Sequence, residues 1–308
     1  MKLLPQPLVG TLFPLFLTTA FWSLLVGADA QLYIGRQTGQ RVSVYNPTTG
    51  AAINTTYITG LNYPDGLLLA GGSLYVSVFN TNTIGKYNVA SGAAINASFI
   101  TGLSGPQGLT LSGNNLFVAN RSNGTVSEYD ATTGVLINAN FITALAGPTA
   151  LLLSGNTLFV ATSLSGLIGS FNATTGAAIN RNFISSGSQI NTPLSLALSG
   201  NNLFVANYGF GNVAEFNATT GAVINSQFIG LLGGARPQAL AISDSNLLVG
   251  GDNGTVGKFD FTTGAPINDT FITGLNNPVT ALLIAAPEPG SAAFTLLGGL
   301  GLLARRRR

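Results

Sequence analysis

The stretch GPQGLTLSGNNLFVANRSNGTVSEYDATTGVLINANFI (residues 105–142) holds one complete structural unit, and its reading decides the fold. Its fourth strand is expected over residues 135–142. Residues 125–129 read as its third strand, and residues 130–134 as the turn between them. That turn has a physical basis: an Asx side chain can bond the backbone two residues on, and Gly134 accepts a positive φ. The next copy shows the first half most clearly, with one strand at residues 150–153, a Ser154-Gly155-Asn156 turn and a second strand at residues 158–161. Four strands of about five residues with short turns fill about 40 residues. No stretch of the repeats carries a helical period of useful length.

The unit recurs six times. Its second strand begins at Leu32, Leu74, Leu116, Leu158, Leu203 and Leu247, in steps of 42, 42, 42, 45 and 44 residues. An aromatic followed by Asn or Asp recurs from Tyr45-Asn46 to Phe259-Asp260, and a Gly stands four residues after each Asx. Self-similarity at this period points to a propeller or a solenoid. The ends of the array decide between them. The first copy starts at its second strand, and the last is followed by an extra first strand within residues 278–284. That strand can complete the blade begun at the N-terminus, which removes the open ends a solenoid must cap. The expected fold is all-β, a six-bladed β-propeller of four-stranded blades over residues 31–286, closed by pairing of residues 279–284 with residues 32–34.

The blade pattern Pro-x-Gly-Leu-x-Leu, Asn-Leu-Phe-Val-Ala-Asn, Gly-Thr-Val-x-x-Tyr-Asp resembles the NHL-type propeller repeat. The Trp-Asp signature of the other common propeller repeat is absent, and the one Trp is Trp22.

Both ends read as addresses. Residues 1–30 read as a signal peptide: Lys2 is basic, residues 8–26 are apolar and uncharged, and Ala28-Asp29-Ala30 supplies the small-x-small cleavage pattern. Residues 287–308 combine Pro287-Glu288-Pro289, a short apolar span and Arg305, Arg306, Arg307 and Arg308. This order resembles the PEP-CTERM sorting signal of Gram-negative bacteria. The resemblance implies an exosortase-type sorting protease as a partner, cleaving near the tripeptide. Residues 290–304 would make about 22 Å of helix, short for a ~30 Å bilayer core, which suits a transient membrane anchor. The Arg cluster would hold the body on the far side of the inner membrane. The expected destination is the cell surface or the exterior.

Composition narrows the chemistry. Residues 31–286 carry seven basic and eight acidic residues, so the whole chain's net charge of +2 arises from its last four residues. A nucleic-acid partner is not expected, since no cluster of Lys and Arg exists to displace counterions. There are no Cys and no His. Ser-His-Asp triads, Cys-His dyads and His-ligated zinc are therefore excluded.

One enzymatic route stays open, a metal-dependent lactonase or esterase resembling gluconolactonase-like propellers. Its candidate ligands at comparable loop positions are Asp65, Asn120, Asn207 and Asp252. Arg36, Arg121 and Arg236 offer an anion site if blade ends converge. Asn54, Asn96, Asn138, Asn180, Asn225 and Asn268 stand once per blade, either as a sugar-binding ring or as clamps on local backbone. The Tyr and Phe of the aromatic-Asx pairs are expected to pack between blades. With few carboxylates and copies that differ mainly by small polar changes, the expected role is non-enzymatic, without a cofactor. It is a binding or scaffolding module for a polysaccharide or a surface protein.

Overall fold

The computed structural model of this chain describes residues 30–285, apart from 186, 188, 231–233, 276 and 277. The signal-peptide reading of residues 1–30, apart from Ala30, and the sorting-signal reading of residues 287–308 lie outside the described residues. Among the described residues no helix is long and apolar enough to cross a membrane. The 24 elements among the described residues are all strands, gathered into six antiparallel sheets of four.

Blade 3 shows how the sequence builds each sheet. Its strands are Pro106–Ser112, Asn115–Asn120, Thr125–Asp130 and Leu136–Ile142, paired in chain order. The first strand of blade 4, Pro148–Ser154, is longer than its apolar stretch suggests. Proline is tolerated at the first residue of a strand, where its missing N–H breaks no ladder. The second strand is the interior of the sheet: Leu116, Phe117, Val118 and Ala119 are fully buried. The outer strand is exposed over its first five residues and enters the core only at Phe141 and Ile142.

Two local devices repeat around the rim. The Asx turn forms as the spacing predicts: Asp130 Oδ1 accepts the N–H groups of Thr132 and Thr133 at 3.0 and 2.7 Å. At the matching turn of blade 4, Gly176 has φ +71°, and a Cβ there would collide with the carbonyl oxygen of Phe141 in blade 3. The second device is a bulge. Glu128 pairs with Asn138 but Val126 pairs with Ile142, so the outer strand carries extra residues. Asn138 Oδ1 clamps that bulge by accepting the Asn140 N–H at 3.0 Å. Asn54, Asn96, Asn180, Asn225 and Asn268 do the same in their own strands. The once-per-blade Asn series therefore clamps local backbone at the outer edge.

The core lies between blades. Each of six apolar clusters draws on two neighbouring blades: Tyr129 packs with Tyr75 and Ile100, Phe171 with Phe117 and Phe141, Phe259 with Phe204 and Phe228. The aromatic-Asx residues thus pack across blade interfaces. One cluster joins Leu248 and Ile272 of blade 6 to Leu32 and Tyr45 of blade 1, as a ring requires.

Closure follows the strand count. The last strand, Val279–Ala285, pairs antiparallel with Gln31–Arg36, placing Leu32 opposite Ile284, Tyr33 opposite Leu283 and Ile34 opposite Leu282. The six first strands touch in a cycle around the axis, with Val279–Ala285 between Pro237–Ser243 and Pro64–Ala70. The register also moves one marker. Leu282 faces Ile34 as Leu67 faces Val76 in blade 2, so Val279, not Pro278, occupies the place of Pro64.

Candidate functional site

Each first strand presents its second residue at one end of the axis. With the closing strand set by that register, the six equivalent positions are Asp65, Gln107, Thr149, Leu194, Gln238 and Thr280, and all six line one cleft of about 540 Å³. Residues just beyond the ends of second strands, among them Arg121, Tyr208 and Asp252, complete its wall, and Tyr63 stands beside them. The volume lies within the range of small-molecule sites, about 300–1,000 Å³.

The centre of the chemistry is an acid–amide pair. Gln107 Nε2 donates to Asp65 Oδ2 at 2.5 Å. Burial pushes the Asp65 carboxyl up to about 7, against the opposing pull of the Gln107 hydrogen bond and the Arg121 charge. Part of Asp65 still meets the solvent of the cleft, but protein surrounds the carboxyl closely enough for desolvation to dominate. Gln107 keeps 9% of its surface exposed, and its Oε1 is buried without a hydrogen-bond partner.

The neighbours are held from their own loops. Tyr63 has φ +70°, rare for a residue with a Cβ and of the kind that clusters at functional sites. Its ring packs on Phe79 with centroids 5.3 Å apart. Its phenol is raised by burial first and then by the Asp65 charge, with Arg121 acting the other way. Arg236 lies over the Tyr208 ring at 5.2 Å, and its backbone N–H donates to Asp252 Oδ1 at 2.9 Å. Deeper down, Thr149 Oγ1 donates to Pro193 O at 2.8 Å and Thr280 Oγ1 to Pro64 O at 2.7 Å, tying neighbouring blades together.

The four proposed metal ligands separate. Asp65 and Asp252 line the cleft. Asn120 and Asn207 are buried at the ends of their second strands. Asn120 Nδ2 donates to Ser127 Oγ at 2.8 Å, and Asn207 Nδ2 to Gln189 O at 3.0 Å. Among the described residues no group of three or more Asp, Glu, His or Cys is placed to hold a metal ion. The three arginines separate too. Arg121 lines the cleft, Arg236 stacks on Tyr208, and Arg36 is buried, donating through Nη1 to Leu275 O at 3.0 Å. Gln107, Tyr63 and Tyr208 went unnoticed in the sequence. The position after each strand-opening Pro was the available signal, because it runs Asp65, Gln107, Thr149, Leu194 and Gln238 while the residues around it repeat.

Six four-stranded blades around an axial cleft define a six-bladed β-propeller. Residues 101–281, more than half of the chain, match the family model described as outer membrane protein assembly factor BamB, and the chain belongs to that family. The matching repeat is thus the BamB type, whereas the residue pattern alone resembles the NHL type. No curated protein matches the sequence. Among solved structures, a chain of the crystal structure of a nidogen/laminin complex is 14% identical with a TM-score of 0.70, over 84% of this chain and 99% of that one. The computationally designed Ika8 protein is 19% identical with a TM-score of 0.48, over 83% of this chain and 77% of its own. At such identities the likeness concerns the fold alone.

Proposed function

We propose that this protein is an exported propeller that works at the cell surface or outside the cell as a non-enzymatic binding and scaffolding module, with the axial cleft as its seat. One observation carries the reading. The cleft gathers unlike polar side chains, Asp65, Gln107, Arg121 and Asp252, at one end of a scaffold whose rim repeats the same residues six times. A binding seat needs such diversity, and folds of this kind host both binders and enzymes, so function is set by the site. The cleft holds carboxylates, amides, a guanidinium, two phenols and threonine hydroxyls, those of Thr149 and Thr280 already committed to backbone carbonyls, and no His or Cys exists to serve as base or nucleophile.

Export is supported by the Ala28-Asp29-Ala30 pattern and by the Pro287-Glu288-Pro289 tail with its four terminal arginines. On this reading an exosortase-type protease removes the tail after a transient membrane stage, leaving the propeller beyond the inner membrane to meet matrix polysaccharide or surface proteins. Membership of a family described as an outer membrane protein assembly factor agrees with that address.

Two measurements on the protein from its native host test the proposal. Intact mass should correspond to a chain without residues 1–30 and without Arg305 to Arg308. A mature chain that keeps those arginines contradicts the sorting step. A lactone and ester panel with calcium, magnesium, manganese or zinc should show no turnover. Metal-dependent turnover abolished by Asp65→Ala or Asp252→Ala replaces the binding module with a hydrolase.

A further inference from the structure

We infer that the axial cleft takes a neutral sugar, held by hydroxyl contacts to the Asp65–Gln107 pair and Arg121. The inference rests on the reading of the cleft as a binding seat and names what sits there.

The first support is an unmet acceptor. Gln107 lines the cleft and is nine-tenths buried, its Nε2 is committed to Asp65, and its Oε1 has no partner. A buried amide oxygen left in this state is costly, and natural proteins leave few. Oε1 is closed to solvent as the side chain stands, so a ligand O–H would complete it after a small turn of the amide toward the cleft. The threonines add acceptors of the same kind. The hydroxyl hydrogens of Thr149 and Thr280 are spent on the carbonyls of Pro193 and Pro64, so each Oγ1 can offer only lone pairs to the cleft.

The second support is charge. Asp252, joined by Asp65 once that carboxyl has lost its proton, disfavours a sugar acid or a phosphate, and Arg121 disfavours an ammonium group or a metal cation. A ligand without charge avoids both penalties. It must still donate to Gln107 Oε1, Asp65, Thr149 and Thr280 while accepting from Arg121. A hydroxyl does both, and a sugar presents several on a small rigid frame. Tyr63 and Tyr208 border the same space with amphipathic rings that suit the mixed faces of a pyranose.

The test titrates the mature protein calorimetrically with cellobiose, lactose, maltose and mannobiose, and with D-glucuronate, D-glucosamine and calcium chloride. At least one neutral disaccharide should bind, about tenfold or more tighter than each charged probe. Gln107→Leu should weaken that binding about tenfold while the far-ultraviolet dichroism stays unchanged. Arg121→Gln, a partly exposed position where the fold uses only the backbone N–H, should narrow the discrimination against glucosamine. No binding of any neutral disaccharide overturns the inference. A preference for glucuronate, glucosamine or calcium overturns the sugar class and leaves the binding module standing. Disaccharide binding indifferent to both substitutions moves the sugar away from this cleft. Failure of the binding-module reading shows instead as catalytic turnover, a separate readout.

Discussion

At the outer rim every blade places the same residues in the same geometry. An Asx side chain closes the turn, a glycine at φ between +71° and +74° follows, and an Asn clamps the bulge of the last strand. At the axial mouth the six equivalent positions hold Asp65, Gln107, Thr149, Leu194, Gln238 and Thr280. Near-uniform copies were the sequence-based ground for a non-enzymatic binding or scaffolding surface, and that uniformity holds at the rim but not at the mouth. The difference separates two kinds of constraint. The rim repeats because each turn must meet the neighbouring blade, and any blade that departs loses a contact. The mouth faces solvent, so its residues are free to diverge toward a ligand, and at Asp65 they do so against the stability of the fold.

The comparison breaks most completely if the ring is opened. Deleting residues 279–285 removes a strand whose Val279 and Ala281 are buried and whose Leu282 and Ile284 pack against the interface of blades 6 and 1. At ~1.5–3 kcal/mol for each large apolar side chain taken out of water, the loss is about 5 kcal/mol, comparable to the whole stability of a typical domain. The expected result is a melting transition lowered by tens of degrees or lost. A variant that melts within a few degrees of the full chain would show that closure contributes little.

A single rim glycine sharpens the contrast. At Gly176 an alanine must adopt φ +71° and drive its Cβ into Phe141 O. At Gly102, φ is +73° but nothing lies within 4 Å of the added carbon. The left-handed conformation alone costs roughly 1–2 kcal/mol. Gly176→Ala should therefore cost about 3 kcal/mol and Gly102→Ala about 1 kcal/mol, read from urea midpoints at a common slope. Equal losses would mean that the rim turns do not lock neighbouring blades.

The rim was legible in the sequence because it is periodic. Asx and Gly at fixed spacing declare a turn, and six copies against six first strands declare the closure. Asn138 was readable only as a choice between clamp and ligand, since the bulge that decides it is a property of register. The mouth was legible in part. Asp65 and Asp252 stood out as candidate metal ligands and Arg121 as part of an anion site, but convergence is a matter of distance, and the same reasoning chose Asn120 and Asn207, whose side chains turn into the blade. Gln107 was missed because a neutral amide after a proline is unremarkable until its oxygen is seen to be buried and unpaired. The one-residue shift at Val279 also hid Thr280 from the ring.

The last comparison sets carboxylates of the two regions directly against each other. At the rim, the N–H of Thr133 holds the Asp130 carboxyl below its usual range, and that of Thr263 does the same for Asp260. Groups depressed in this way stabilise the fold above the unfolded pKa and lose that contribution as pH falls through the folded one. Asp65 has the opposite sign. Its carboxyl is raised from 3.8 to about 7, so between those values the folded state keeps a proton that the unfolded chain has released. Stability then falls as pH rises across that window and levels off above it. The full shift would exceed 4 kcal/mol at ~1.4 kcal/mol per unit, and water in the cleft reduces it to about 2 kcal/mol. Asp65→Asn keeps an oxygen for Gln107 Nε2 and cannot ionise. The variant should match the parent near pH 4 and exceed it by about 2 kcal/mol at pH 8. Glu128 and Glu215 are also raised by burial and slope the same way, but they are present in both proteins and cancel in the difference. Denaturation midpoints at pH 4, 5, 6, 7 and 8 give that difference curve. Parallel curves for the two proteins would mean that Asp65 is as well solvated as the carboxylates at the rim, and the mouth would lose its claim to be the strained region of the molecule.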